Sequence, residues 1–198
     1  ASMKQPKGSS SPSSAGNKSP SLSYVLLFAT TKREKDSKDL RMVGFDPSSH
    51  GETMLIFEEK FIFFPERYPR GDWEAPVRDR VPVQDVLIPT PDGAQLHGWY
   101  IPTPDSKATL LYFHGNAGNI THRWDWAKQL RSLKINILLF DYRGYGKSTG
   151  TPSEENLYKD AEHVYNFLIK EKNLQPQHVI LYGESLGSAP SCYLASRY

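Results

Sequence analysis

Three short runs, residues 109–113, 135–140 and 179–182, are apolar almost without interruption. A strand with one wet face alternates apolar and polar residues. A strand covered on both faces does not, and parallel sheets cover both faces. The segments between the runs carry helical spacing. Ile120, Trp124, Ala127 and Leu130 fall on one face, as do Leu157, Ala161, Val164, Tyr165 and Leu168 of a helix expected to end near Lys172. Thr151-Pro152-Ser153-Glu154 reads as the capping box of that helix, with proline at its first position. Strands and helices in alternation predict an α/β domain, a mostly parallel sheet flanked by helices. Ahead of them, residues 83–88 and 95–101 flank the turn Thr90-Pro91-Asp92-Gly93 and predict an antiparallel hairpin leading into the sheet. His97 lies in the second of these strands and reads as structural.

At 198 residues and 38% hydrophobic content, the chain is sized for one domain with a substantial core. The net charge of +2 is uneven. Residues 1–41 hold eight Lys/Arg against three acids, whereas 42–198 hold sixteen against nineteen. No basic, aromatic-interleaved face points to nucleic acid. Nine serines within the first 23 residues predict a disordered leader, and residues 32–41 a mixed-charge linker, so the folded domain is expected over 42–198. The apolar run at 22–29 is too short to span a bilayer and has no small-residue cleavage pattern after it. A cytoplasmic protein is expected, with membrane association left open and no transmembrane helix in the chain. Residues 58–66 hold an aromatic run, expected as an extended segment laid against the core and stopped by Pro65; an aromatic lid is the alternative. The single Cys192 reads as a small buried apolar residue.

The third apolar run passes directly into Gly183-Glu184-Ser185-Leu186-Gly187 and then into small residues able to start a helix. Such a strand–turn–helix holds a serine at the apex of a strained turn. Side chains two residues to either side would collide with that turn, which suits Gly183 and Gly187. The hydroxyl then stands at a helix N-terminus, whose dipole favours developing negative charge. The pentapeptide alone also fits a tight turn with a solvated serine, so the other loops decide. His114-Gly115-Asn116-Ala117-Gly118 follows the first apolar run. Gly115 and Gly118 let the backbone pass close to a ligand with its amides turned inward. Placed beside Ser185, the amides of Asn116 and Leu186 would form a two-donor oxyanion hole. His114 could serve as a general base, but its place inside the turn points to holding the loop's shape. The loop from Asp141 to Ser148 fails as a nucleotide site. A phosphate-binding loop needs glycine where Asp141 stands, and a dinucleotide fingerprint needs one at Thr149. His163 and His178 show no metal-ligand spacing, and neither metal nor cofactor is expected.

Taken in order, His-Gly-Asn-Ala-Gly, Asp-Tyr-Arg-Gly-Tyr-Gly-Lys-Ser and Gly-Glu-Ser-Leu-Gly, each after a strand, resemble the alpha/beta-hydrolase superfamily. Within it they are similar to serine hydrolases carrying His-Gly-Asn-Ala-Gly, a subgroup that includes membrane-associated protein depalmitoylases and bacterial hydrolases of unassigned substrate. The likeness extends over residues 55–198. It implies Ser185 as nucleophile, the Asn116 and Leu186 amides as oxyanion donors, and a supporting role for the loop 141–148. The implied substrate is a small-molecule or lipid acyl ester or thioester. Ser188 departs from a frequent second glycine. A larger departure is that the superfamily's acid and histidine follow the serine, whereas residues 186–198 contain no Asp, Glu or His. We therefore expect the N-terminal portion of a hydrolase, inactive by itself. The alternative is a non-catalytic hydrolase-like binding module, against which stands the unprotected apolar edge its last strand would leave.

Overall fold

A computed structural model describes residues 62–198 together with the backbone of Val25–Phe28. The leader at 1–23, the linker at 32–41 and the first part of the aromatic run at 58–61 lie outside the described residues. The strands are β1 (Val25–Phe28), β2 (Phe64–Pro65), β3 (Gln84–Pro89), β4 (Gln95–Ile101), β5 (Thr109–Phe113), β6 (Ala117–Gly118), β7 (Asn136–Phe140) and β8 (Val179–Glu184). The α-helices are α1 (Ala75–Arg78), α2 (Trp124–Leu130), α3 (Glu154–Lys170) and α4 (Ser188–Ala195).

Six strands form one sheet in the order β1-β8-β5-β7-β4-β3. The hairpin β3–β4 is antiparallel and joins β7 antiparallel, while β7, β5, β8 and β1 run parallel. Alternate side chains of the central strands supply two separate cores, as the period-2 pleat requires. Leu111, Phe113, Leu138 and Phe140 pack under α3 with Leu157, Val164 and Leu168. Leu110, Tyr112, Ile137 and Leu139 face the other way, against Trp124 and Ala127 of α2. On that second face Trp73, Trp99 and Trp124 meet edge to face, with centroids 5.6 and 5.7 Å apart. Both faces of β5, β7 and β8 are therefore covered, which accounts for their unbroken apolar runs.

The chain steps from β5 to β7 on one side and returns to β8 on the other, so the sheet's winding reverses at β5. Loops leaving the carboxyl ends of β5 and β8 emerge side by side, at the position where open α/β sheets bind ligands.

Several sequence expectations are corrected. The N-cap of α3 is Ser153, whose hydroxyl accepts from the Asn156 amide. Pro152 therefore precedes the cap instead of opening the helix, and the helix closes at Lys170. The aromatic segment is extended at β2, which pairs parallel with β6 and ends at Pro65, as the sequence suggests. Phe63 is buried there and Phe64 exposed. Cys192 is exposed, because it lies on the outer side of α4, opposite Ser191 and Leu194. The edge of β8, which counted against the binding-module alternative as an unprotected edge, is paired in parallel with Val25–Phe28.

Candidate active site

Ser185 stands where β8 ends and a 3-10 turn, Ser185–Gly187, leads into α4. Its φ is +50°, a left-handed conformation that costs a non-glycine residue on the order of 1–3 kcal/mol. The side chain is exposed. The flanking glycines are required for space. A Cβ on Gly183 would lie 2.6 Å from the Gly187 carbonyl oxygen and 2.7 Å from Ser188 Cα. A Cβ on Gly187 would lie 2.1 Å from the Phe113 carbonyl oxygen and 2.9 Å from that of His114. The second pair of distances also shows that the serine turn is pressed directly against the end of β5 and the start of the loop 114–118. Ser185, Leu186, Gly183 and Gly187 are thus brought together with His114 and Gly115.

That loop is held on every side. Its Asn116 carbonyl accepts from the Phe64 amide at 3.1 Å and from the Tyr145 hydroxyl at 2.8 Å. The Asn116 side-chain amide donates to the Ile62 carbonyl at 3.1 Å, and the Glu66 amide donates to the Gly118 carbonyl at 3.1 Å. Gly118, at φ +81°, turns the chain into the 3-10 turn Ile120–Arg123, which Asn119 caps by accepting from the Thr121 amide.

His114 is fully buried and its Nδ1 lies 2.7 Å from the Gly115 carbonyl oxygen. A carbonyl only accepts, so Nδ1 carries the proton. In a trans peptide the N–H points opposite to the C=O, so this bond also sets the direction of the Asn116 N–H. His114 Nε2 lies 3.5 Å from Asp141 Oδ1, itself fully buried and accepting from the Ile120 amide at 2.9 Å. The His114 carbonyl accepts from the Tyr142 hydroxyl at 2.7 Å. Burial pushes the phenols of Tyr142 and Tyr145 well above their ordinary range, so both remain hydroxyl donors.

Sequence reasoning treated the loop 141–148 as a support but did not single out Tyr142 and Tyr145, whose hydroxyls reach the neighbouring loop. Their spacing of three, in a turn following a buried strand, is the signal that could have marked them. Arg143 ties the same loop down elsewhere. Its Nε donates to the buried Asp160 of α3 at 2.7 Å and its Nη1 to Asp92 of the hairpin turn. His97 is buried in β4 with Nε2 2.6 Å from Asp85, a structural place. The remaining described histidines are engaged or placed elsewhere. His122 Nδ1 accepts from the Asn119 amide, His163 lines a groove between α3 and β3, and His178 precedes β8 at the opposite end from Ser185. Among the described residues, no cluster of three or more His, Cys, Asp or Glu side chains could hold a metal, and no helix is long and apolar enough to cross a membrane.

Residues 108–198 match the family model described as the alpha/beta hydrolase fold. The alpha/beta hydrolase domain-containing protein 17B of Xenopus laevis is 37% identical over 158 residues, covering 79% of this chain and 55% of that protein. The alpha/beta hydrolase domain-containing protein WAV2 of Arabidopsis thaliana is 32% identical over 150 residues, covering 71% of this chain and 47% of that protein. Among solved structures, an esterase of Pyrococcus furiosus superposes with a TM-score of 0.51 at 26% identity, over 69% of this chain and 52% of that one. An alpha-beta hydrolase from Vibrio vulnificus shares the fold with a TM-score of 0.56 at 23% identity, over 74% of this chain and 54% of that one. The chain spans about half the length of the curated relatives it matches.

Proposed function

Because the chain has the alpha/beta-hydrolase fold, we propose that Ser185 is the nucleophile of a serine acyl hydrolase acting on carboxylic esters or thioesters. The observation that carries this reading is the strained, exposed Ser185 turn packed against the amide-bearing loop 114–118. In the first half-reaction, Ser185 Oγ adds to the acyl carbon as its proton passes to a base. The carbonyl oxygen becomes an oxyanion held by the amides of Asn116 and Leu186. Collapse breaks the bond to the alcohol or thiol, which leaves with the proton, and the acyl group stays on Oγ. Water then adds to the acyl-enzyme by the same route and releases the acid. Each oxyanion donor is worth about 2.7–4 kcal/mol of transition-state stabilisation. The bond from His114 to the Gly115 carbonyl serves this step indirectly, by aiming the Asn116 amide.

Among the described residues no histidine hydrogen-bonds Ser185, the ring of nearby His114 being turned to the Gly115 carbonyl and Asp141, and the reading requires such a base in the working enzyme. For the 198-residue chain alone we expect only the residual rate of a site without its triad partners, about 10³–10⁴ over water. The Pyrococcus furiosus structure is named an esterase, and the Xenopus laevis and Arabidopsis thaliana relatives are named alpha/beta hydrolase domain-containing proteins. Those names favour hydrolysis over a non-catalytic binding module. A fluorophosphonate probe applied to the full-length protein tests the assignment. Ser185 should be labelled and Ser185→Ala should not; equal labelling of both would overturn it.

A further inference from the structure

Resting on the reading of Ser185 as nucleophile, we propose that Arg123 is a positioning residue that clamps the oxyanion loop to the nucleophile turn, with Glu184 as its anchor. Arg123 comes from the 3-10 turn Ile120–Arg123 ahead of α2. Its Nε and Nη2 donate to the two carboxylate oxygens of Glu184, each at 3.2 Å. Its Nη1 donates to the Ala117 carbonyl at 2.5 Å. Glu184 is the residue before Ser185, and Ala117 is the residue after Asn116. One planar, rigid guanidinium therefore spans the two segments that carry the candidate oxyanion amides, in the fork geometry a lysine cannot reproduce.

The anchor is itself fixed. The Tyr112 hydroxyl, projecting from β5 beneath, donates to Glu184 Oε2 at 3.0 Å. The Arg123 and Glu184 side chains are 11% and 25% exposed, so water competes weakly for either. The loop rests on the pair without slack: a Cβ on Gly115 would lie 3.0 Å from Glu184 Oε1 and 3.1 Å from Arg123 Nη2. Burial pushes the Glu184 carboxyl up, but the charge and hydrogen bonds of Arg123 and the Tyr112 hydroxyl outweigh it and hold the group below the usual carboxylate range. The clamp is charged at neutral pH. An exposed surface pair would contribute little. This pair is buried enough, and bonded at enough points, to set the distance between two loops.

Misplacing reacting groups by about 1 Å costs on the order of 10²-fold in rate. In the full-length protein, Arg123→Met and the near-isosteric Glu184→Gln should each lower kcat toward a p-nitrophenyl ester by about 10²-fold, with KM nearly unchanged. Fluorophosphonate labelling of Ser185 should slow in parallel. Arg123→Lys should recover only part of the loss. In Arg123→Met the kcat profile should gain an acid limb at higher pH than in wild type, since Glu184 keeps its burial and loses its cation. Wild-type kcat in both Arg123→Met and Glu184→Gln would overturn the clamp, as would a loss that appears in KM, or one matched by the unfolded fraction in circular dichroism. If Arg123→Met does not fold, Glu184→Gln alone decides. Failure of the nucleophile reading shows separately, as an unlabelled wild-type Ser185 or an active Ser185→Ala.

Discussion

Gly187→Ala is the sharpest mechanical probe of the site. Gly187 has φ −63° and ψ −13°, so alanine meets no backbone strain there, and the substitution acts purely through space. The new methyl would sit 2.1 Å from the Phe113 carbonyl oxygen and 2.5 Å from its carbonyl carbon. Carbon contacts settle at roughly 3.5 Å, so the serine turn and the end of β5 must part by about 1 Å. Both obstacles are backbone atoms of a central strand and cannot rotate away. Overpacking of this kind costs about 1–3 kcal/mol. For a protein of this size that lowers the melting temperature by roughly 2–12 °C. The same displacement moves Leu186 relative to Asn116 and should cut esterase kcat of the full-length protein by about 10²-fold. Gly93→Ala is the control. No atom lies within 4 Å of its added Cβ, but its φ of +86° penalises the side chain, so a loss of about 1 kcal/mol with unchanged kcat is expected. Differential scanning fluorimetry and ester hydrolysis on both variants complete the comparison. Wild-type stability and rate in Gly187→Ala would refute the packing of the nucleophile turn on β5.

Further outcomes follow from the same geometry. Tyr145→Phe removes the hydroxyl bond to the Asn116 carbonyl at 2.8 Å and should cost about 1 kcal/mol in urea unfolding, with a larger fractional loss in kcat than in KM. Asp160→Ala strips Arg143 Nε of its buried acceptor while leaving the half-exposed Asp92, and should destabilise by about 3 kcal/mol at pH 7. Glu184 is held below its ordinary range, so its contribution to stability is fully present above about pH 4.3 and is lost as pH falls through the lowered folded value. Urea midpoints measured across pH 3–6 should show a pH-dependent difference between wild type and Glu184→Gln that closes at the acid end.

Much of this arrangement was legible in the chain because it rests on local rules. Residues 109–113 and 95–101 match β5 and β4 residue for residue, since burial on both faces or turn chemistry at Asp92-Gly93 leaves a strong local signature. Gly183 and Gly187 were readable for the same reason, as a tight turn demands them at fixed spacing. What was not legible depends on contacts between distant segments. The pairing of Phe64 with Ala117 and the arrival of Arg123 at Glu184 join residues more than fifty positions apart, and no periodicity encodes them. The pairing of Val25–Phe28 with β8 likewise needs the sheet order before it can be seen. The helix cap was misread by two residues because Thr151 and Ser153 are both able caps, and the choice lies with the strand-to-helix path. Cys192 was misread because composition alone does not say which side of α4 faces the core.

Where the developing oxyanion is held can be seen directly in a crystal structure of the full-length protein carrying a phosphonate adduct. Phosphorus should be bonded to Ser185 Oγ, with the phosphoryl oxygen within about 2.7–3.1 Å of the amide nitrogens of both Asn116 and Leu186. Phosphorus on another residue, or a phosphoryl oxygen turned to solvent away from Asn116, would contradict it.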